Sequence, residues 1–204
     1  MEIEGNNGMR LAIANSKGGS AKSTSAMYVA AELAQHGKTL LVDADPQRSL
    51  LSWSEAAGDL PFLVVGLPVR DLQRRLETHG KGYDHIVIDT PPGDLAIIRS
   101  ALLASERVII PVGATLMEVD RLRPTIELMA EVEALNSFHV HVLLTRVRFG
   151  TKSAKTIREV LASDLGLPLL LTEIPLRESF AASFGLAPEI GGAYGDVVKE
   201  LMAA

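Results

Sequence analysis

Cysteine is absent from the 204 residues, which excludes disulfides, thiolate metal sites and cysteine-held iron–sulfur clusters, and fits a reducing cytosol. No apolar run approaches the roughly 20 residues that a bilayer crossing takes. The start, MEIEGNNGMR, lacks a basic region followed by an apolar stretch, so no signal peptide is expected there and a soluble, cytoplasmic protein is. An excess of base is also missing. Twenty Lys and Arg against 25 Asp and Glu leave a net charge of -5, which argues against a dedicated basic nucleic-acid module while leaving room for a local patch. There is no internal repeat, low-complexity tract or linker. With 47% hydrophobic residues the chain is long enough to bury a large core, and a single domain over residues 1–204 is expected, with residues 1–8 as a polar arm.

What is present is a series of short apolar runs: RLAIA, TLLVDAD, FLVVGL, HIVIDT, RVIIPV, HVHVLLT and LLLTEI. Runs apolar at nearly every position are how strands covered on both faces read. Helical spacing fills the gaps between them. Ala26, Val29, Ala30, Leu33 and Ala34 form one stripe ended by Gly37, and residues 119–135 predict a longer amphipathic helix stopping at Asn136. The alternation predicts an α/β fold, a doubly wound and mostly parallel sheet with helices on both faces. Ligands of such sheets gather at the carboxyl ends of the strands.

The first of those ends carries NSKGGSAKSTS, residues 15–25. Counting back from Lys22, the pattern G-x-x-x-x-G-K-[ST] requires glycines where Ser16 and Ala21 stand, so the ordinary phosphate loop fails. The variant K-G-G-x-x-K-[ST] fits through Lys17, Gly18, Gly19, Lys22 and Ser23. Gly18 and Gly19 let the backbone turn its amides inward, and a helix beginning near Lys22 points its positive end at the same place. The loop, with Ser20 and Ala21, thus reads as a cradle for nucleotide phosphates. Lys22 is expected along the β- and γ-phosphates, Ser23 on Mg2+ and Thr24 at the α-phosphate.

A magnesium ion in such a cradle keeps waters that nearby carboxylates must hold. LLVDADPQ offers Asp43 and Asp45, and HIVIDTPPG offers Asp89. An Asp closing an apolar strand is also a common helix or turn cap.

Together, KGGxxKST, VDADPQ and IDTPPG resemble the ParA/MinD group of deviant Walker ATPases, most closely the short ParA-type partition ATPases without an N-terminal DNA-binding domain. The resemblance spans nearly the whole chain. It implies slow ATP hydrolysis with ATP and Mg2+, catalysed by Lys17, Lys22 and Asp45. Lys17 then reaches across a nucleotide-sandwich homodimer, Asp45 orients or activates the attacking water, Asp43 supports the magnesium shell and Asp89 holds a magnesium-bound water. LTEIPLRESF resembles the adenine segment, placing Pro175 and Arg177 beside the base, with Thr145 and Arg146 on its other face. The implied work is plasmid or chromosome segregation by a dimer bound to nonspecific DNA and released by a small DNA-binding or adaptor partner that stimulates hydrolysis. Nucleoid association and no membrane are implied with it. ParA-like positioning of a protein cargo is the alternative, followed by a MinD-like membrane cycle and by phosphate transfer to a small metabolite. The missing cysteines exclude a nitrogenase-type reductase. Two positions depart from the pattern. Ala21 replaces the usual glycine, so its Cβ is expected to alter the loop torsion or slow the chemistry, and PVGATLMEVD lacks the usual proline-rich switch.

Base is concentrated in TRVRFGTKSAKTIR, where Arg148, Lys152, Lys155 and Arg158 are the DNA-binding candidates. On a helix, positions 152, 155 and 158 stay near one face, suited to a phosphate backbone or to plain solvation. His139 and His141 alternate on a strand without a third metal ligand. Trp53 and Phe180 read as packing residues, and Arg70, Arg74, Arg75, Arg121 and Arg123 as solvated helix charges.

Overall fold

The computed structural model describes residues 8–203. All but Gly8 of the expected polar arm lies outside the described residues.

Six strands form one sheet: β1 Met9–Ile13, β2 Thr39–Asp43, β3 Leu63–Gly66, β4 His85–Asp89, β5 Arg107–Gly113 and β6 His139–Thr145. Their order is β3-β2-β4-β1-β5-β6 and every neighbouring pair is parallel. The period-two alternation of the strands splits the apolar residues between two cores. Ala12, Leu40, Val42, Ile86, Ile88, Val108, Ile110 and Val142 face one layer, and Leu11, Ile13, Leu41, Val87, Ile109 and Leu143 the other. The expected doubly wound architecture is the one observed.

The α-helices run α1 Lys22–Leu33, α2 Ser49–Ala57, α3 Leu72–His79, α4 Leu95–Leu103, α5 Leu116–Asp120, α6 Arg123–Glu133, α7 Lys152–Glu159, α8 Glu178–Ala181 and α9 Gly192–Ala203, and α1 dominates the second layer. Ala26, Met27, Val29, Ala30, Ala31 and Leu33 are all buried, more than one stripe, because α9, Gly192–Ala203, closes over the side away from the sheet with Tyr194, Val197, Val198 and Leu201. The apolar face of α9 is therefore spent on the core, which disagrees with a membrane-seeking tail of the MinD kind. No helix among the described residues is long and apolar enough to cross a membrane.

Two expectations need correction. The helix predicted over residues 119–135 is two helices, α5 Leu116–Asp120 and α6 Arg123–Glu133, because Pro124 fits only the first turn of a helix and forces a restart. LLLTEI is not a seventh strand. Its ends touch β6, with Leu170 N donating to Val142 O at 2.9 Å and Ile174 N to Leu144 O at 2.8 Å. Its middle turns outward, so that Glu200 takes the amides of Leu171 and Thr172 at 2.6 and 3.1 Å while Arg158 donates to the Leu171 carbonyl at 3.2 Å. Side chains at these backbone groups replace the ladder.

Candidate functional site

The register aligns the strand ends. Asp43 of β2 sits level with Asp89 of β4, Asp89 with Ile13 of β1, and Gly113 of β5 with Thr145 of β6. The loop following β1 therefore crosses the centre of the sheet's carboxyl edge, between the acids on one side and Thr145 on the other.

Local bonds shape this loop. Asn15, buried, donates Nδ2 to Pro111 O at 2.9 Å and accepts the Lys17 amide on Oδ1 at 3.0 Å. Ser16 N donates to Thr125 Oγ1 at 3.0 Å, and Ser16 O accepts the Gly93 amide at 2.9 Å. Gly19 stands at φ 74, a torsion that glycine alone adopts without strain. Ala21 stands at φ 69 and ψ 26, also left-handed, so the loop keeps the torsion of a glycine and the Cβ bears the cost. The expected change of loop torsion does not occur. Among the described residues no side chain caps α1, whose first amides remain available to an anion.

Lys22, nearly buried, folds its Nζ onto Lys17 O at 2.7 Å. Burial lowers its pKa, with Asp89 and then Asp45 opposing. Ser23 Oγ donates to Asp89 Oδ2 at 2.6 Å, joining two predicted metal-site residues directly. Asp89 is buried and its Oδ1 has no partner among the described residues. Burial pushes its carboxyl up to about 7, the Ser23 hydroxyl and Lys22 opposing and Asp43 and Asp45 adding to the rise. A buried carboxylate with a spare oxygen beside a serine hydroxyl is a donor set that a hydrated divalent cation fits.

Asp43 holds backbone amides as well as standing beside Asp89. Its Oδ2 accepts the amides of Leu50 and Leu51 at 3.0 and 3.1 Å, and its Oδ1 accepts that of Asp45 at 3.1 Å. It caps α2, Ser49–Ala57, whose N-cap position is Arg48, a residue with no capping side chain. Asp45 is half-exposed and accepts the Gln47 amide at 2.8 Å.

On the other side of the loop, Ala21, Thr24, Thr145, Arg146, Pro175 and Arg177 line one cavity of about 140 Å³, together with Phe180 and Tyr194. The structure thus gathers the four residues expected around a base. Thr145, buried, also steadies the loop through Oγ1 to Ser20 O at 3.4 Å. Phe180 packs edge-on against Tyr28 and Tyr194, whose hydroxyl meets Ser25 Oγ at 3.0 Å. Trp53 packs in the core and ties its Nε1 to Leu186 O at 2.8 Å.

Sequence reasoning missed Glu118. Its carboxylate holds Lys17 Nζ and, at 3.2 Å, Arg146 Nη2 on the same oxygen. The signal was the capping-box pattern Thr115-x-x-Glu118: Thr115 Oγ1 does accept the Glu118 amide at 3.3 Å, while the Glu118 side chain turns away to the two cations.

Of the basic candidates, Arg148, Lys152 and Lys155 are exposed, the lysines on α7, Lys152–Glu159. Arg158 is half-buried and paired to Glu173 at 2.7 Å. His139 is exposed, and no group of three metal ligands exists among the described residues. Arg74, Arg75 and Arg123 make surface ion pairs with Asp71 and Glu127, as solvated charges do.

The family model of the CobQ/CobB/MinD/ParA nucleotide binding domain matches residues 11–187. The chain is 31% identical over 181 residues to the maintenance of carboxysome distribution protein A of Halothiobacillus neapolitanus, covering 84% of this chain and 82% of that protein. It is 29% identical to the chromosome-partitioning ATPase Soj of Thermus thermophilus, covering 95% of each. A putative plasmid partition protein of Borrelia burgdorferi bound to AMPPNP superposes with a TM-score of 0.76 over 95% of this chain and 96% of that one. At 22% identity that last likeness is one of fold.

Proposed function

Because the chain belongs to the CobQ/CobB/MinD/ParA family of nucleotide-binding domains, we propose that it is a magnesium-dependent ATP hydrolase of the ParA kind, dimerising on ATP and resetting by hydrolysis. One observation carries the reading. Lys22, folded onto the Lys17 carbonyl, and the Ser23–Asp89 pair converge at the uncapped start of α1, on the carboxyl edge of a parallel sheet. In this reading ATP supplies the phosphoryl group and magnesium the charge that stabilises its transfer. Lys22 and the α1 amides hold the phosphates, and Ser23 is the direct magnesium ligand with Asp89 behind it. Asp45 orients water. Thr145, Arg146, Pro175 and Arg177 enclose the base. Asp43 acts indirectly, by fixing the path of the chain through Asp45.

The ATP-bound dimer binds nonspecific DNA through the exposed Arg148, Lys152 and Lys155, and a partner protein that stimulates hydrolysis releases it. Segregation of DNA and positioning of a protein cargo use this same switch. Similarity to Soj favours the first, and similarity to a carboxysome distribution protein the second. Affinity for a labelled random duplex, measured with ADP, ATP and a nonhydrolysable analogue, tests the switch. Binding is expected to strengthen at least about tenfold with the analogue, about 1.4 kcal/mol; equal affinity in all three states removes the DNA switch from the reading.

A further inference from the structure

We propose that Glu118 is a positioning residue that holds Lys17 and Arg146 in cis in the nucleotide-free chain, and that Lys17 serves a nucleotide only after leaving it. The proposal rests on the nucleotide reading above and adds to it a threshold set by the chain's own carboxylate.

The geometry that points to this is a pair of cations on one oxygen. Lys17 Nζ and Arg146 Nη2 both meet Glu118 Oε1, while Oε2 is buried with no partner among the described residues. A carboxylate offers about four acceptor sites, so half of its capacity is lost in this arrangement. The Glu118 and Lys17 side chains are 11% and 19% exposed, so water screens their attraction little. Space is reserved for the pair. A Cβ on Gly113 would fall 2.7 Å from Arg146 Nη2 and 3.2 Å from the Glu118 side chain. Arg146 itself sits at φ 55, a left-handed torsion that costs a non-glycine residue energy. One carboxylate thereby joins the β1–α1 loop, the start of α5 and the end of β6.

The two cations come from different parts of the site, Lys17 from the phosphate loop and Arg146 from the wall of the cavity beside Thr145 and Pro175. An anion in the cradle competes with Glu118 for Lys17. Release of Lys17 leaves Glu118 to Arg146 alone, so the phosphate end and the base end of the site respond to each other through this side chain.

The first test is made without nucleotide. Trace acetylation of the wild-type chain and of Glu118→Gln, quantified peptide by peptide, reads the freedom of each amine against the exposed Lys152. Lys17 is expected to label several-fold faster in E118Q, with Lys152 unchanged. Equal labelling of Lys17 in both proteins overturns the proposal. Glu118→Ala repeats the measurement should E118Q fold poorly. The second test is binding of a nonhydrolysable ATP analogue, expected to tighten roughly twofold to fivefold in E118Q, the upper range of an ion pair near the surface. In a Lys17→Ala background that gain is expected to vanish; its persistence means that Glu118 acts only through general charge and overturns the proposal. If no protein in the series binds nucleotide, the nucleotide reading fails, while the labelling result still decides whether Glu118 holds Lys17.

Discussion

Ala21 is the residue at which the phosphate loop carries a local cost. A left-handed torsion disfavours an L-residue by about 1–2 kcal/mol, and glycine returns about 0.5–1 kcal/mol of that through its freer unfolded chain. Ala21→Gly is therefore expected to stabilise the protein by about 0.5–1 kcal/mol in urea unfolding; a less stable variant would show that the left-handed loop is not the ground state in solution. The same Cβ lines the cavity with Thr24 and Arg177, so the substitution also enlarges it. His85 sits at the amino end of β4, buried, with Nδ1 unpartnered among the described residues. Burial lowers its pKa, with Asp84 opposing and His36 adding. The folded chain then takes up this proton less readily than the unfolded chain. Its contribution is fully present above the unfolded value of about 6.5 and is lost as pH falls below that. The stability difference between wild type and His85→Gln should shrink between about pH 7.5 and about pH 5.5; a constant difference would mean that the imidazole titrates normally in the fold.

Asp43 shows how an element can claim a residue that chemistry also suits. α2 begins behind Arg48, so the amides of Leu50 and Leu51 need an acceptor, and the strand-end carboxylate is in reach. Asp43→Ala should cost about 2–3 kcal/mol of stability in nucleotide-free protein, the range for losing charged, buried hydrogen bonds. Unchanged stability with lost magnesium binding would return Asp43 to the cation site. Cap and ligand look alike in sequence, since both are an Asp after an apolar run. The six strands were legible because a strand buried on both faces must be apolar throughout. LLLTEI met the same criterion and still left the sheet, because the partners that draw it out, Glu200 and Arg158, are remote in sequence. Pro124 was a visible stop inside the predicted long helix, and periodicity alone hid it. The phosphate loop was legible as a fixed spacing, whereas the turn of Glu118 away from its capping box depends on Lys17, 101 residues away. α7 divides its bases in the same manner. Lys152→Glu with Lys155→Glu should weaken DNA binding across all sequences and reduce its salt slope by about 2. Arg158→Ala should instead lower stability, because Glu173 and the Leu171 carbonyl lose their donor. Loss of DNA binding in Arg158→Ala at normal stability would put Arg158 back on the surface patch.

For the whole molecule, the strand order puts β1 between β4 and β5, so one loop meets acids from one half of the sheet and the Glu118–Arg146 pair from the other. α1 is sealed beneath α9, which leaves the carboxyl edge as the side on which a second copy can approach the loop. Leu116 and Met117, 60% and 64% exposed on α5, flank the Glu118 clamp there and supply apolar area to such an approach. If dimerisation and hydrolysis are coupled through Lys17, two substitutions at this edge must move the dimer in opposite directions. Lys17→Ala keeps Lys22, Ser23 and Asp89, so it should still bind ATP while failing to form the ATP-dependent dimer in sedimentation velocity. Asp45→Ala keeps both lysines and loses the residue assigned to the water, so its ATP dimer should accumulate and outlast that of wild type by about the loss in turnover, at least about tenfold if Asp45 acts as a general base. Matching dimer lifetimes in wild type and Asp45→Ala, or a normal dimer in Lys17→Ala, would separate assembly from chemistry and leave Lys17 without its role between subunits.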